Sequence, residues 1–193
     1  FLSDVYRNDG GGTFTPINAV PANNTSGSSA VAWGDYDNDG DLDFVLSGNP
    51  YGQRPADVYR NDGNDTFTAL GAGIAGASQG DAAWGDYDND GDLDLLLGGY
   101  LTSGASTQLY RNDGGDSFSA AATLPAAGTV DWGDYNNDGL LDIVLIGLSN
   151  NYTGGGIYRN GGNGTFTAIS SPLAGLYSGD ATFGDYFKGG NKF

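Results

Sequence analysis

The chain has no cysteine, no methionine, no histidine and no glutamate. Without cysteine there is no disulfide framework and no thiol nucleophile. Without histidine or glutamate the usual general bases are missing, and aspartate is the carboxylic acid left for proton transfer. Cations are scarce: 7 Lys and Arg stand against 24 acids, all Asp. The formal charge of −17 argues against nucleic acid and against anionic membrane surfaces as partners. Proline is sparse at 6 residues. No apolar run reaches transmembrane length, so no membrane insertion is expected, and no signal peptide is visible. The chain opens without Met and in the middle of a repeat, from which a trimmed product is expected.

What the chain does have is glycine, at 35 residues, and aspartate, both arranged in repeats. WGDYDNDGDLD runs from Trp33 to Asp43 and again from Trp84 to Asp94. A variant, WGDYNNDGLLD, spans Trp132–Asp142, and a degenerate copy, FGDYFKGGNKF, spans Phe183–Phe193. The leading aromatics Trp33, Trp84, Trp132 and Phe183 are 51, 48 and 51 residues apart. A second motif, of the form YRNDG, keeps the same beat: Tyr6, Tyr59, Tyr110 and Tyr158 are spaced by 53, 51 and 48. A period near 50 points to a propeller, a solenoid or an array. The first three aspartate loops hold 13 of the 24 acids, so the charge is local and is not that of a disordered acidic tail.

Helix signals are weak and strand signals are short and frequent. Within one unit, Ala30–Tyr36 reads as a first strand and Asp43–Gly48 as a second, with counterparts Leu95–Gly98 and Ile143–Gly147. These second strands are continuous apolar runs, as expected of strands covered on both faces. A variable loop follows, then Asp57–Asn61 as a third strand and Thr66–Leu70 as a fourth, joined by an Asn-Asp-Gly hairpin signal. Four antiparallel strands in about 50 residues make one β-propeller blade. The fold class expected is therefore all-β, with blades near residues 30–70, 81–120 and 128–169 and half-blades at 1–17 and 178–193. Four-bladed closure, pairing with another copy, and membership of a larger ring all remain open.

The aspartate loop has the spacing of a Ca²⁺ site. Asp35, Asp37 and Asp39 alternate at positions 1, 3 and 5, so a curling backbone brings their side chains together. Gly40 at position 6 permits the sharp turn. Asp41 at position 7 is assigned a contact through its backbone carbonyl, and Asp43 at position 9 closes the shell. The second loop supplies Asp86, Asp88, Asp90, Asp92 and Asp94 in the same roles. The third supplies Asp134, Asn136, Asp138, Leu140 and Asp142. There the side-chain ligands keep an oxygen, and the position assigned to a carbonyl is the one that lost its own. The last loop keeps Asp185 but has Phe187 and Gly189 at positions 3 and 5, so no metal is expected there. Three calcium sites follow. The competing reading is a set of solvated Asp-Gly turns, which a nine-residue pattern recurring at blade spacing disfavours.

With these residues in view, the chain resembles the FG-GAP/VCBS repeats of integrin-α-like β-propellers. The resemblance covers nearly the whole chain. It implies one Ca²⁺ per blade, held between the first two strands, together with an extracellular setting and usually seven blades. This chain departs from that blade count and in its degenerate last loop.

Other repeated residues read as packing. Arg7, Arg60, Arg111 and Arg159 recur inside YRN and suit a repeated blade-packing or salt-bridge role more than anion binding. Trp33, Trp84 and Trp132 suit core or inter-blade packing, with Phe183 as a substitute. Tyr51, Tyr100 and Tyr152, in the variable loops, are the candidates for stacking on a sugar or anchoring a protein. Sequons occur at Asn23, Asn24, Asn64, Asn151 and Asn163. The function expected is a noncatalytic extracellular recognition or adhesion module, lectin-like, whose partner is a glycan or an extracellular protein. The alternative is a structural repeat of a cell-surface filament or larger assembly, either as a homo-oligomer or as part of a longer chain.

Overall fold

The computed structural model describes residues 4–20, 30–48, 56–101, 103–148, 155–170 and 179–184. The described chain is all-β. Its strands form three four-stranded antiparallel sheets and one two-stranded sheet. The two-stranded sheet is the hairpin of β1 (Tyr6–Gly10) and β2 (Thr13–Pro16). The first full sheet runs in sequence order through β3 (Ala30–Gly34), β4 (Asp43–Ser47), β5 (Asp57–Asn61) and β6 (Phe67–Ala69). The second contains β7 (Ala77–Gly85), β8 (Asp94–Leu101), β9 (Gly104–Asn112) and β10 (Phe118–Leu124). The third contains β11 (Thr129–Gly133), β12 (Asp142–Ile146), β13 (Gly156–Asn160) and β14 (Phe166–Ala168).

The second strands β4, β8 and β12 are buried on both faces, which is why they read as unbroken apolar runs. Alternation along β8 shows how one strand serves two cores. Leu95 and Leu97 join Tyr36, Val45 and Val58 between the first and second sheets. Leu96 joins Leu109, Ile143 and Leu145 between the second and third. A smaller core of Val20, Phe44, Leu46 and Tyr59 lies between the N-terminal hairpin and the first sheet. Successive sheets meet mainly through their first strands, β3 on β7 and β7 on β11.

Each joint between sheets uses an aromatic and a glycine. A Cβ on Gly34 would come within 2.9 Å of the Trp84 ring, and one on Gly85 within 2.8 Å of Trp132. Only glycine lets the rings approach that closely. Trp84 Nε1 donates to the Ala32 carbonyl at 3.2 Å, and Trp132 Nε1 to that of Ala83 at 3.3 Å. Residues 179–184 continue the series beside β11: Phe183 covers Gly133, and Thr129 Oγ1 donates to the Gly179 carbonyl at 2.8 Å.

The second sheet is longer than the repeat pattern suggests. β7 begins at Ala77, with a bulge between Ser78 and Asp81 where Gln79 takes φ +52°. This extension places Tyr100 inside β8, opposite Ser78 and Ala105 and half-buried, where a loop position was expected. Pairing with Gly104–Ser106 carries the hairpin past it. Tyr51 and Tyr152 lie outside the described residues, as do Asp185, Phe187, Gly189 and the sequons at Asn23, Asn24 and Asn151. Asn64 and Asn163 are exposed in hairpin turns.

Candidate metal centre

Each aspartate loop joins the first strand of a sheet to the second, and each is held by the same hydrogen bonds. The position-1 carboxylate accepts two amides. Asp35 takes Asp39 N and Gly40 N, both at 3.0 Å, and Asp86 takes Asp90 N and Gly91 N at the same distance. Asp134 takes Asp138 N at 3.0 Å and Gly139 N at 2.8 Å. The position-5 carboxylate accepts the position-7 amide: Asp41 N on Asp39 at 2.8 Å, Asp92 N on Asp90 and Leu140 N on Asp138, each at 3.0 Å. The glycine at position 6 takes φ +95°, +97° and +86° in the three loops. The asparagine at position 4 also has positive φ: Asn38, Asn89 and Asn137 at about +60°. These two positive-φ residues, with the amide bonds, wind each loop tightly between its two strands.

The winding brings carboxylates together. One oxygen from each of Asp35, Asp37 and Asp39 falls within 4.8 Å of the others. In the second loop the group that meets this criterion is Asp86, Asp88 and Asp94. Position 9 is the anchor. Asp43, Asp94 and Asp142 are fully buried at the start of the second strand. Each accepts the position-2 amide on Oδ2 (Tyr36, Tyr87, Tyr135; 3.1, 3.1 and 3.0 Å). Each also accepts, on Oδ1, an amide from the end of the third strand (Asn61, Asn112, Asn160; 2.7, 2.9 and 2.8 Å).

The electrostatics point the same way. Burial pushes Asp43 up to about 6 and Asp94 up to about 7, against the lowering effect of their two amide bonds. Burial also raises Asp142. Asp37 and Asp88 are raised by burial and by the neighbouring carboxylates of their own loops. Negative charge here is concentrated and only partly offset by the backbone. The donors are all oxygen, with no nitrogen or sulfur ligand in the loop, and such a set fits a hard cation. The third loop differs in one respect: Asn136 Nδ2 donates to Asp138 Oδ2 at 2.9 Å, so an amide dipole already meets one carboxylate oxygen.

A family model described as FG-GAP-like repeat matches residues 3–46, 45–97 and 134–188. The chain belongs to the FG-GAP-like repeat family. The expected resemblance is thus borne out over most of the sequence. No curated protein sequence matches the chain. Among solved structures, an Agrocybe aegerita lectin that recognises non-reducing terminal N-acetylglucosamine matches with a TM-score of 0.52 at 21% identity. The match covers 78% of this chain and 40% of the lectin, so the likeness is one of fold over less than half of that protein.

Within these FG-GAP-like repeats, the asparagine of YRN is a structural hub that motif reading overlooked. Besides its amide bond to position 9, Asn112 Nδ2 donates to the Leu93 carbonyl and, across the joint, to the Tyr36 carbonyl of the preceding repeat at 2.9 Å. Asn160 does the same toward Leu141 and, at 2.8 Å, Tyr87. Its neighbour in the motif, arginine, latches forward. Arg60 pairs with Asp62 in its own hairpin at 2.9 Å and with Asp116 of the next repeat at 2.6 Å. Arg7 pairs likewise with Asp9 and Asp65. The series fades at the third sheet, where Gly161 and Gly164 stand in place of the two aspartates, and among the described residues Arg111 pairs with Asp113 alone. Recurrence of the motif four times in a fixed phase of the repeat was the signal for a packing role.

Proposed function

We propose that the chain is a noncatalytic, calcium-stabilised recognition module built of β-propeller blades. Convergence of three carboxylates in each of the first two loops, in the second of them including the buried aspartate bonded to the third strand, carries this reading. Calcium would sit on Asp35, Asp37, Asp39 and Asp43, with the Asp41 carbonyl, and on the equivalent atoms of the second and third loops. It would tie the first, second and third strands of each blade at one point. Membership of the FG-GAP-like repeat family supports Ca²⁺ as the cation. The large, oxygen-rich shell favours Ca²⁺ over Mg²⁺, which holds fewer protein ligands and more water.

We assign the ligand class as a terminal sugar of an extracellular glycan, and the setting as secreted or cell-surface. The likeness in fold to a lectin that recognises terminal N-acetylglucosamine supports the first assignment, and the calcium loops support the second. Calcium at about 100 times its dissociation constant adds about 2.7 kcal/mol for each independent site. The melting temperature should therefore rise strongly with calcium and fall on chelation. Titration by calorimetry should resolve two tighter sites and a weaker third, since affinity follows the number of ligating carboxylates. An unchanged melt after thorough chelation would remove the calcium reading. A glycan array probed with the calcium-loaded protein tests the sugar reading separately, and silence toward terminal sugars would turn it toward a protein partner.

A further inference from the structure

Neighbouring aspartate loops are tied to each other by hydrogen bonds between residues that lie among their candidate ligands. Asn38 stands between Asp37 and Asp39. Its Nδ2 donates to the Gly91 carbonyl at 3.1 Å and to Asp92 Oδ1 at 3.0 Å, both in the second loop. These two bonds grip the peptide that precedes Asp92 and the side chain of Asp92 itself. They therefore restrict the direction of the Asp92 carbonyl, the atom assigned to the ion at position 7.

A second bridge runs the other way. The Asn112 amide is bonded to Asp94, and its Nδ2 spans from the Leu93 carbonyl of the second loop to the Tyr36 carbonyl, between Asp35 and Asp37 of the first. The next joint repeats the arrangement with one contact fewer. Asn89 Nδ2, between Asp88 and Asp90, reaches the Gly139 carbonyl at 3.0 Å. Asn160 spans from Leu141 to Tyr87 as Asn112 does one repeat earlier. Leu140 stands where the second loop has Asp92, so it has no side-chain oxygen to accept the further bond.

We propose that the aspartate loops fill with calcium cooperatively, and that Asn38 and Asn89 are the positioning residues that couple each loop to the next. Coupling is stronger between the first and second loops than between the second and third. This inference rests on the calcium reading above, and neither asparagine belongs to the ligand set. Closure of Asp37 and Asp39 on an ion fixes the backbone of residue 38, and with it the donor that holds residues 91 and 92. The second loop is then ordered before its own ion arrives, so part of its ordering cost is already met. By linkage the second loop favours filling of the first to the same extent. Charge acts in the opposite sense, because each bound ion leaves the neighbouring loop less attractive to the next. That repulsion is screened over about 8 Å at about 0.15 M salt, whereas the hydrogen bonds are direct contacts.

Calcium titration followed by proton–nitrogen NMR, at about 0.15 M salt, tests the coupling. The amides of Gly40, Gly91 and Gly139, each bonded to the first carboxylate of its loop, report the three sites separately. The first two loops are identical from Trp33 to Asp43 and from Trp84 to Asp94, so their intrinsic affinities are matched. Gly40 and Gly91 should move together, along a curve steeper than that of an independent site, with Gly139 following at higher calcium. Asn38→Gly suits the φ of +60° at that position and removes the donor. It should raise the calcium that half-fills the second loop by about fivefold, although every ligand of that loop remains. Asn89→Gly should shift Gly139 by less. Asp37→Ala with Asp39→Asn takes two charges and an oxygen from the first loop, to keep it empty, and leaves it with the net charge of a filled one; Gly40 checks that it stays empty. In that background Asn38→Gly should shift the second loop far less, because no filling of the first is left to transmit. An equal shift in both backgrounds would mean that Asn38 only supports the second loop's structure, and overturns the coupling. Independent filling of the unaltered loops overturns it too and leaves the calcium reading intact. Glycine amides that do not respond to calcium at all remove both.

Discussion

At the scale of single residues, the asparagine of YRN does more than the arginine beside it. Asn112 is buried and its side chain is saturated: Nδ2 donates to Tyr36 and Leu93, and Oδ1 accepts Gly114 N at 3.0 Å. Truncation would leave two carbonyls and one amide without these partners, and an unmet buried polar group costs about 1–3 kcal/mol. Asn112→Ala should therefore destabilise the protein by about 2 kcal/mol or more, read as a shifted denaturant midpoint. Loss of less than about 0.5 kcal/mol would mean that water replaces the amide there. The exposed arginines are the contrast, because ion pairs at the surface are worth little.

At the scale of elements, the aspartate loop sets a pH dependence whose sign depends on calcium. Asp43, at about 6, and Asp94, at about 7, stand above the ordinary aspartate value in the folded chain. Without metal, the folded state holds protons that the unfolded state releases, so stability falls as pH rises from about 4 toward about 7. In chelator the melting temperature should be higher at about pH 5 than at about pH 7.5. Calcium competes with those protons, so its stabilising increment should shrink over the same acid range. A metal-free melt that falls steadily from neutral pH to about pH 5 would contradict this assignment. Asp9, Asp62 and Asp113 act lower down. Hydrogen bonds from Thr15, Thr68 and Ser119, and then from the arginines, hold them below the ordinary value. Their contribution is full above that value and is lost as pH falls through their folded values.

At the scale of the whole molecule, the chain is a row in which each sheet touches its neighbours. Stability in such an array is a sum of unit terms and joint terms. Beyond the aromatic–glycine contact, polar latches at the aspartate loops cross both joints between the full sheets, and a second kind at the hairpins crosses the first of them. Asn38 Nδ2 donates to the Gly91 carbonyl at 3.1 Å and to Asp92 at 3.0 Å, and Asn89 Nδ2 to the Gly139 carbonyl at 3.0 Å. At the hairpin end, Asp116 accepts from Tyr36 at 2.6 Å and from Arg60 at 2.6 Å. A double-mutant cycle of Arg60→Gln and Asp116→Asn should give a coupling of about 0.5 kcal/mol that fades in high salt, as for a half-exposed pair. Salt-independent coupling would instead point to a joint drier than its exposure suggests.

What the sequence determined by itself was local. Short apolar runs between turn residues set the strands, Asp-x-Asp-x-Asp-Gly set the winding loop, and Asn-Asp-Gly set the hairpin, because each is decided among residues within reach of one another along the chain. The identical phase of Trp33, Trp84, Trp132 and Phe183 could mark these aromatics as packing residues. The tertiary structure decided what each packs on. Trp84 finds Gly34, Asn112 finds the Tyr36 carbonyl and Arg60 finds Asp116, across separations of 50, 76 and 56 residues. It also decided that Trp33, identical in motif to Trp84, is left half-exposed. Equivalent residues in a repeat share their local conformation, but their burial depends on the neighbouring sheet, and among the described residues what lies beside Trp33's sheet on that side is the short N-terminal hairpin.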